Sequence, residues 1–168
     1  MARVYLGVGA NLAPEDNISA GLERLATDVR ITRLSPCYRS PAVGFDGPEF
    51  INLVVEAETD MGVADLSRCL KQIEHEFGRA TDAVKYSSRS LDIDILMVDD
   101  LTGVYDGIEL PRADIWRFAF VLRPLLDLMP DGLCPLHRRP LVSYLPAVQS
   151  QRLTRCDGHW LTFKPAQA

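Results

Sequence analysis

The sequence has few histidines, no closely spaced cysteines and no long apolar run. Only three histidines are scattered through 168 residues, which argues against a zinc site. The four cysteines include no Cys-x-x-Cys pair, so we expect reduced thiols and not a disulfide framework. No apolar run approaches the roughly 20 residues that a membrane-spanning helix needs, so we expect no membrane partner.

Positive charge is also scarce. A net charge of −5 argues against a general nucleic-acid binder, which usually carries a basic surface.

Met1 leads directly into strand-like residues without the pattern of a signal peptide, so we expect a cytoplasmic protein. The length and the 47% hydrophobic content suit one soluble domain. We predict a core over residues 3–130, with a less certain C-terminal extension over residues 131–168.

One strand carries the strongest chemical signal. In residues 90–98 the apolar Leu91 and Ile93 alternate with Asp92 and Asp94, which predicts a β-strand with both aspartates on one face. Their Cα atoms would lie roughly 7 Å apart. Like charges held this close are unfavourable unless a cation lies between them. The pattern therefore favours a cation site, although a polar face exposed to water at a sheet edge would look the same.

The segment before this strand adds cations and an aromatic ring. Arg79, Lys85, Tyr86 and Arg89 precede the aspartates. Arginines suit phosphate oxygens, and Mg²⁺ commonly bridges carboxylates to phosphates. The combination favours a nucleotide polyphosphate as the ligand.

The chain pattern predicts an α+β fold. The predicted order of strand, helix, strand, strand, helix, strand is the split βαβ arrangement of ferredoxin-like sandwiches, with the helices mainly on one face of an antiparallel sheet. The other face would be free to bind a ligand at the two aspartates. The predicted strands are 4–8, 29–34, 50–57 and 90–98. The first predicted helix starts near Pro14, the second covers about residues 61–77, and a later short helix begins at Pro124. Residues 38–48 are predicted to form a mobile loop.

A second binding candidate lies on the strand after that loop. Phe50 and Asn52 share one face, and an aromatic plane beside an amide suits recognition of a planar base. The residues alone favour the plainer interpretation, a core phenylalanine and a structural asparagine. Gly9 and Asn11 could line a ligand, but a simple turn explains them equally well, and Glu74 near the end of the second helix could be a solvated side chain.

Several blocks occur in an order that is typical of one family. They are Gly9-Ala10-Asn11-Leu12, Tyr38-Arg39-Ser40-Pro41, Phe50-Ile51-Asn52, Gly78-Arg79 and Arg89-Ser90-Leu91-Asp92-Ile93-Asp94-Ile95-Leu96. From Val4 to about Pro130 the chain resembles the 6-hydroxymethyl-7,8-dihydropterin pyrophosphokinases of folate biosynthesis. The resemblance implies an ATP-dependent diphosphotransferase that moves pyrophosphate to the pterin hydroxymethyl group and releases AMP.

The resemblance also implies roles for individual residues. Asp92 and Asp94 would hold two Mg²⁺ ions on ATP, the co-substrate. The implied pterin-binding residues are Ser40, Val43, Phe50, Asn52 and Phe120. The implied ATP-binding residues are Lys71, Glu74, Arg79, Tyr86, Arg89, Ile95, Arg112 and Arg117, and the implied catalytic residues are Arg79, Arg89, Asp92 and Asp94. The partners of the protein would be ATP and the hydroxymethyl-dihydropterin, and we expect the protein to be a monomer.

The departures from the family pattern leave a second function open. Arg112 stands where the family usually has histidine, and Arg117 lies one residue before the position, Phe118, at which an arginine is expected. Thr81 and Asp82 replace residues that are usually basic. An active enzyme is our first hypothesis, and a catalytically weakened or inactive pterin- or nucleotide-binding paralogue is the second. A ferredoxin-like domain with a solvated acidic edge is the plainest alternative.

Overall fold

An antiparallel sheet forms the centre of the molecule. The computed structural model describes residues 1–78 and 90–166. None of the helices in these two stretches has the length and apolar character needed to cross a membrane. The elements are β1 (Ala2–Ala10), α1 (Pro14–Leu25), β2 (Arg30–Leu34), β3 (Tyr38–Ser40), β4 (Phe50–Thr59), α2 (Val63–Glu76), β5 (Asp92–Val98), β6 (Gly103–Tyr105), β7 (Ile108–Leu110), α3 (Asp114–Arg117), α4 (Ala119–Leu128), a 3₁₀ helix (Leu141–Tyr144), α5 (Leu145–Val148) and β8 (Thr154–Arg155).

The main sheet has the strand order β5-β1-β4-β3-β8, and β2 also pairs with β4. Each of these pairings is antiparallel. The long strands β1 and β4 occupy the middle, so their side chains face both layers of the molecule. The predicted α+β class, an antiparallel sheet with packed helices, is confirmed.

The first helical layer consists of α1 and α2. Pro14 begins α1, and the acidic Glu15 and Asp16 lie in its first turn, where the helix dipole favours negative charge. The helices bury their apolar stripes against one face of the sheet; the residues are Ile18, Leu22, Leu25, Leu66, Leu70 and Ile73. Gly78 follows α2 with a φ of 97°, a conformation that favours glycine after a helix. Both helices lie where the apolar periodicity predicts them.

The opposite face of the sheet is half covered, whereas the sequence predicts a free face. The elements α3, α4, α5 and the 3₁₀ helix pack there against Tyr5, Val54, Leu96 and Met97. These elements are short, and α4 is apolar around most of its circumference, so the sequence does not show which face of the sheet they cover. The half of this face that they leave open contains both aspartates of β5.

A β-bulge separates the open half of that face from the covered half. In the pairing of β5 with β1, Met97 lies opposite Tyr5 and Ile95 lies opposite Leu6, so Leu96 is an extra residue. Side chains alternate between the two faces along a strand, and one extra residue shifts that alternation. Leu96 and Met97 therefore both face the covered half, beyond Asp94.

Two local predictions are wrong in their boundaries. Residues 38–40, predicted as the start of a loop, form β3 because they pair with residues 50–52 of β4. The apolar helix predicted to begin at Pro124 begins at Ala119, and Pro124 lies inside it. An internal proline costs a helix about 3 kcal/mol, and burial of the apolar side of α4 offsets this cost.

Candidate active site

A cavity of about 470 Å³ opens on the uncovered half of the sheet. It lies between the ends of β1, β4 and β5 and the segment that contains α3 and the start of α4. Nine of the residues that the sequence predicts as site residues line it: Ser40, Val43, Phe50, Asn52, Asp92, Asp94, Arg112, Arg117 and Phe120. The predicted pterin residues and the predicted metal residues therefore share one cavity.

The carboxylates of β5 face this cavity beside two glycines. Asp92 pairs with Gly9 and Asp94 pairs with Gly7 across the β1–β5 ladder. Neither glycine has a side chain that could fill the space next to the carboxylates. The Asp94 side chain is 33% exposed, so the open half of the face keeps a carboxylate accessible from the cavity.

Arg112 brings a cation to the same place. Its backbone N–H donates to the Leu96 carbonyl at 2.9 Å, and its Nε donates to Asp114 Oδ2 at 2.9 Å. Its Nη2 lies 3.8 Å from Asp94 Oδ1. Burial lowers the pKa of Arg112, but the neighbouring carboxylates, Asp94 first, more than reverse this and leave the pKa raised. We call Asp92, Asp94, Arg112 and Asp114 the charged wall.

The charged wall suits a metal ion that arrives with its own ligands. Within residues 1–78 and 90–166, no group of three or more His, Cys, Asp or Glu side chains is arranged to hold a metal. Magnesium usually takes one or two carboxylates and completes its shell with water and substrate phosphates. Asp92 and Asp94 therefore fit Mg²⁺ bound to a polyphosphate.

Phenylalanines line another side of the cavity. The rings of Phe118 and Phe120 are stacked, with centroids 5.0 Å apart and planes 29° apart. Phe45, from the loop after β3, makes an edge contact with Phe50 at 6.4 Å. All four rings line the cavity, and we call them the aromatic wall. Aromatic faces of this kind stack on flat heteroaromatic ligands.

Asn52 lies between the two walls and is fixed by close contacts. Its Nδ2 donates to Ser40 Oγ at 2.9 Å. A Cβ atom at Gly9, the residue opposite Asn52 on β1, would lie 2.6 Å from Asn52 Oδ1. Glycine at position 9 is therefore needed for the amide to lie across β1. The oxygen and the second hydrogen of the amide suit the donor and acceptor edge of a heterocycle.

A third carboxylate on this face of the sheet, Glu56, belongs to the covered half. It accepts hydrogen bonds from Tyr5 Oη at 2.7 Å, Thr32 Oγ1 at 2.9 Å and Arg33 Nη2 at 2.7 Å. Arg33 also donates to the Leu128 carbonyl at the end of α4. The hydrogen bond from Arg33, opposed by burial, is the largest influence that lowers the pKa of Glu56 to about 2.

Comparison with known proteins identifies the family of the chain. The family model for 7,8-dihydro-6-hydroxymethylpterin-pyrophosphokinase (HPPK) matches residues 5–130. The chain belongs to this HPPK family. The matched range includes both walls of the cavity, and it agrees with the predicted resemblance from residue 4 to about residue 130.

Curated members of the HPPK family are similar over nearly their whole length. A 2-amino-4-hydroxy-6-hydroxymethyldihydropteridine pyrophosphokinase of Aquifex aeolicus is 33% identical over 150 residues, which are 87% of this chain and 92% of the relative. A protein of the same name from Pseudomonas aeruginosa is 37% identical over 161 residues, or 93% of this chain and 98% of the relative.

Solved structures show the same fold at lower identity. The wild-type HPPK-DHPS of Plasmodium falciparum, crystallised with SDX-DHP, superposes with a TM-score of 0.65 over 88% of this chain at 12% identity. This chain spans 43% of that solved chain, which is less than half its length. The likeness supports the HPPK fold.

Three predicted ATP-binding residues lie outside the cavity lining. Lys71 is exposed on α2, and the side chain of Ile95 packs in the core beneath the sheet. Glu74 is buried, and one of its oxygens accepts from the Ile93 N–H at 2.8 Å, so it joins α2 to β5. Their roles toward ATP stay predictions. Arg79, Tyr86 and Arg89, like Thr81 and Asp82, lie outside the described residues.

Several residues that line the HPPK cavity are not predicted from the sequence, and Phe45, Asp114 and Phe118 are the ones with charged or aromatic side chains. Phe45 comes from a loop rich in glycine and proline, Asp114 opens a four-residue helix, and Phe118 is noted only as a position that lacks an arginine. The spacing of Asp114 two residues after Arg112 is a local signal for an ion pair. Neither phenylalanine has such a signal, because only the folded chain brings the two rings to the cavity.

Proposed function

We propose that this chain is an Mg²⁺-dependent enzyme that transfers pyrophosphate from ATP to 6-hydroxymethyl-7,8-dihydropterin in folate biosynthesis and releases AMP. The observation that carries the proposal is the joining of the charged wall and the aromatic wall in one cavity. A polyphosphate and a flat heterocycle can therefore bind side by side. Membership of the HPPK family supports the same reaction.

In this proposal the aromatic wall and Asn52 hold the pterin. The ring stacks on Phe50 and Phe120, Asn52 bonds the polar edge of the ring, and Ser40 fixes the amide of Asn52. The backbone at Ser40 and Val43 supplies further polar contacts. Phosphoryl-type transfer depends mainly on positioning and charge neutralisation, so an orienting pocket meets the main requirement of the reaction.

The charged wall receives the triphosphate. The pterin hydroxyl oxygen forms a bond to the β-phosphorus, the bond from that phosphorus to the α,β-bridging oxygen breaks, AMP leaves with the electron pair, and the hydroxyl proton goes to solvent. Asp92 and Asp94 would hold two Mg²⁺ ions, which when bound would neutralise phosphate charge. Arg112 and Arg117 contact phosphate oxygens. Arg79, Arg89 and Tyr86, with Lys71, Glu74 and Ile95, complete the proposed nucleotide site.

A product assay tests this function. Purified protein is incubated with MgATP and 6-hydroxymethyl-7,8-dihydropterin, and the nucleotides are separated to distinguish AMP from ADP. Pterin-dependent AMP is the expected product, and it should disappear when EDTA removes the metal. The absence of AMP together with tight pterin binding would instead identify the binding paralogue, and the absence of both would reject the proposal.

The proposal includes one domain over residues 1–168 that acts as a cytoplasmic monomer. The packing of the 3₁₀ helix and α5 against the same cluster as α3 and α4 supports a single folding unit. Size-exclusion chromatography with light scattering should give a mass near the 18.7 kDa of the chain. A mass of twice that value would replace the monomer with a dimer.

A further inference from the structure

We propose that Gln151, in the C-terminal extension, is a positioning residue for the pterin-binding wall. This inference rests on the proposed function. The side-chain amide of Gln151 makes two hydrogen bonds to consecutive peptide groups at the junction of α3 and α4. The Nε2 donates to the Arg117 carbonyl at 2.8 Å, and the Oε1 accepts from the Ala119 N–H at 2.8 Å.

The junction needs an external partner because it interrupts a helix. Phe118 alone separates α3 from α4, and its φ of −130° and ψ of 127° are extended. The last carbonyls of α3 and the first N–H groups of α4 have no partner inside their own helices. The amide of Gln151 supplies one donor and one acceptor to the peptide groups on either side of Phe118, in the manner of a neighbouring β-strand.

The clamped junction supplies part of the cavity. Arg117, Phe118 and Phe120 all line the cavity, and the rings of the two phenylalanines stack on each other. A change in the backbone at Phe118 would rotate this stack relative to Phe50 and Asn52 on β4. The distance between the two sides of the pterin pocket therefore depends on the junction that Gln151 holds.

The C-terminal extension fixes the backbone of Gln151 and also contacts α3 at a second point. The Gln151 N–H donates to the Val148 carbonyl at 3.0 Å, and Val148 is buried in the same cluster as α3 and α4. Trp116, the residue before Arg117, contacts the rings of His137 and Tyr144 at 4.7 and 5.9 Å. Residues beyond the matched family range thus fix the helix that precedes the aromatic wall.

The position of Gln151 makes it a clean test of positioning. Its side chain lies at the surface, so its removal leaves no large cavity in the core. Gln149 has the same side chain two residues earlier, is exposed and follows α5. Gln149→Ala is therefore a matched control for Gln151→Ala. Gln151→Met keeps the length without the amide, and Gln151→Glu places a carboxylate in place of the amide.

The experiment measures the KM for pterin, the KM for MgATP and kcat, together with pterin affinity by calorimetry in the presence of a non-hydrolysable ATP analogue. Loss of one or two hydrogen bonds should raise the pterin KM and Kd of Gln151→Ala and Gln151→Met about 5- to 20-fold. We expect the effect in Gln151→Glu to be at least as large. Gln149→Ala should match the wild type, and all variants should keep the wild-type melting temperature within about 3 °C.

Three results separate failure of this inference from failure of the proposed function. Unchanged pterin affinity in all three Gln151 variants of an active enzyme would overturn the positioning role. An equal loss in Gln149→Ala, or a loss that follows only a lower melting temperature, would also overturn it. A wild-type protein that forms no AMP and binds no pterin would reject the proposed function, and the role of Gln151 would fall with it.

Discussion

Two carboxylate sites lie on the same face of the same sheet, and they have opposite surroundings. Glu56 is under α4 in the covered half and accepts three close hydrogen bonds from Tyr5, Thr32 and Arg33. Asp94 lies in the open half, where the guanidinium of Arg112 is 3.8 Å away. The comparison shows how the packing of short helices can assign a stabilising role to one acidic site and leave another accessible to a ligand.

The cations beside the two sites differ in the same way. Arg33, whose side chain is half exposed, gives two nitrogens to the buried Glu56, at 3.2 and 2.7 Å, so the charge of this carboxylate is matched by the protein itself. Arg112 gives its Nε to Asp114 and only approaches Asp94. The proposed polyphosphate with Mg²⁺ would enter the second arrangement without displacing a buried ion pair, because the side chains of Arg112 and Asp94 are both partly exposed. The two sites therefore need different measurements: enzyme activity at the open site and stability at the covered site.

The largest expected effect is at the open site. Asp94→Asn removes a charge from the proposed metal ligands but keeps the shape of the side chain. We expect kcat/KM for AMP formation to fall by at least about 10³-fold, because loss of charge stabilisation at a metal-assisted site costs several kcal/mol. Asp100→Asn, in the exposed turn after β5, is the control and should keep wild-type activity. Wild-type rates in Asp94→Asn would remove Asp94 from the site.

Substitution of Glu56 at the covered site should instead reduce the stability of the protein and leave its activity nearly unchanged. Glu56→Gln removes the buried carboxylate that accepts from Tyr5, Thr32 and the half-exposed Arg33 and should lower the free energy of unfolding by about 1–3 kcal/mol, as measured by urea denaturation. At a temperature where both proteins are folded, kcat should stay within about twofold of the wild type. Glu58→Gln, two residues further along β4, controls for charge. A selective loss of activity without a loss of stability would show that Glu56 acts in the site.

Acid should weaken the same network over a defined range. The pKa of Glu56 is lowered to about 2 from an ordinary value of 4.5, so the folded state holds the charged form more firmly than the unfolded chain does. The stabilisation is full above about pH 4.5 and is lost as the pH falls toward 2, by up to about 3 kcal/mol. Urea unfolding at pH 6, 4 and 3 should show the wild type approaching Glu56→Gln. A constant difference between the two proteins would contradict this.

A smaller effect is expected at Arg112. Arg112→Ala removes the proposed charge-assisted contact to phosphate and should raise the KM for MgATP about 10- to 100-fold, measured by AMP formation at saturating pterin. Arg112→His, which keeps a side chain that can donate a hydrogen bond to phosphate, should lose less. Arg152→Ala, at an exposed position of the extension, should change nothing. An unchanged KM in Arg112→Ala would leave Arg112 as a partner of Asp114 alone.

The sequence predicts the part of the site that depends on local periodicity. The alternation in residues 90–98 places Asp92 and Asp94 on one face of β5 because side chains of any strand alternate. Phe50 and Asn52 follow in the same way from β4. Ile95 shows the limit of this reasoning, because the same alternation that exposes Asp94 to the cavity turns the Ile95 side chain into the core.

The covered half of the sheet could not be predicted, because its elements are short and depend on tertiary contacts. The position of α4 follows from burial of its apolar side against the sheet, a contact that outweighs the cost of an internal proline. The two bonds of Gln151 join residues 32 and 34 positions apart in sequence. No local pattern marks such a residue, and the same is true of the buried contact between Glu74 and β5.

The bulge at Leu96 makes the two halves of β5 independently adjustable. The register of the reactive half depends on the pairs that Asp92 and Asp94 form with glycines, whereas the other half depends on the pairing of Met97 with Tyr5. A strand without this extra residue would have one alternation along its whole length, so a change of facing at one end would propagate to the other. Here the facing of the residues beneath α4 and the facing of the two aspartates are therefore set by separate pairs along β5.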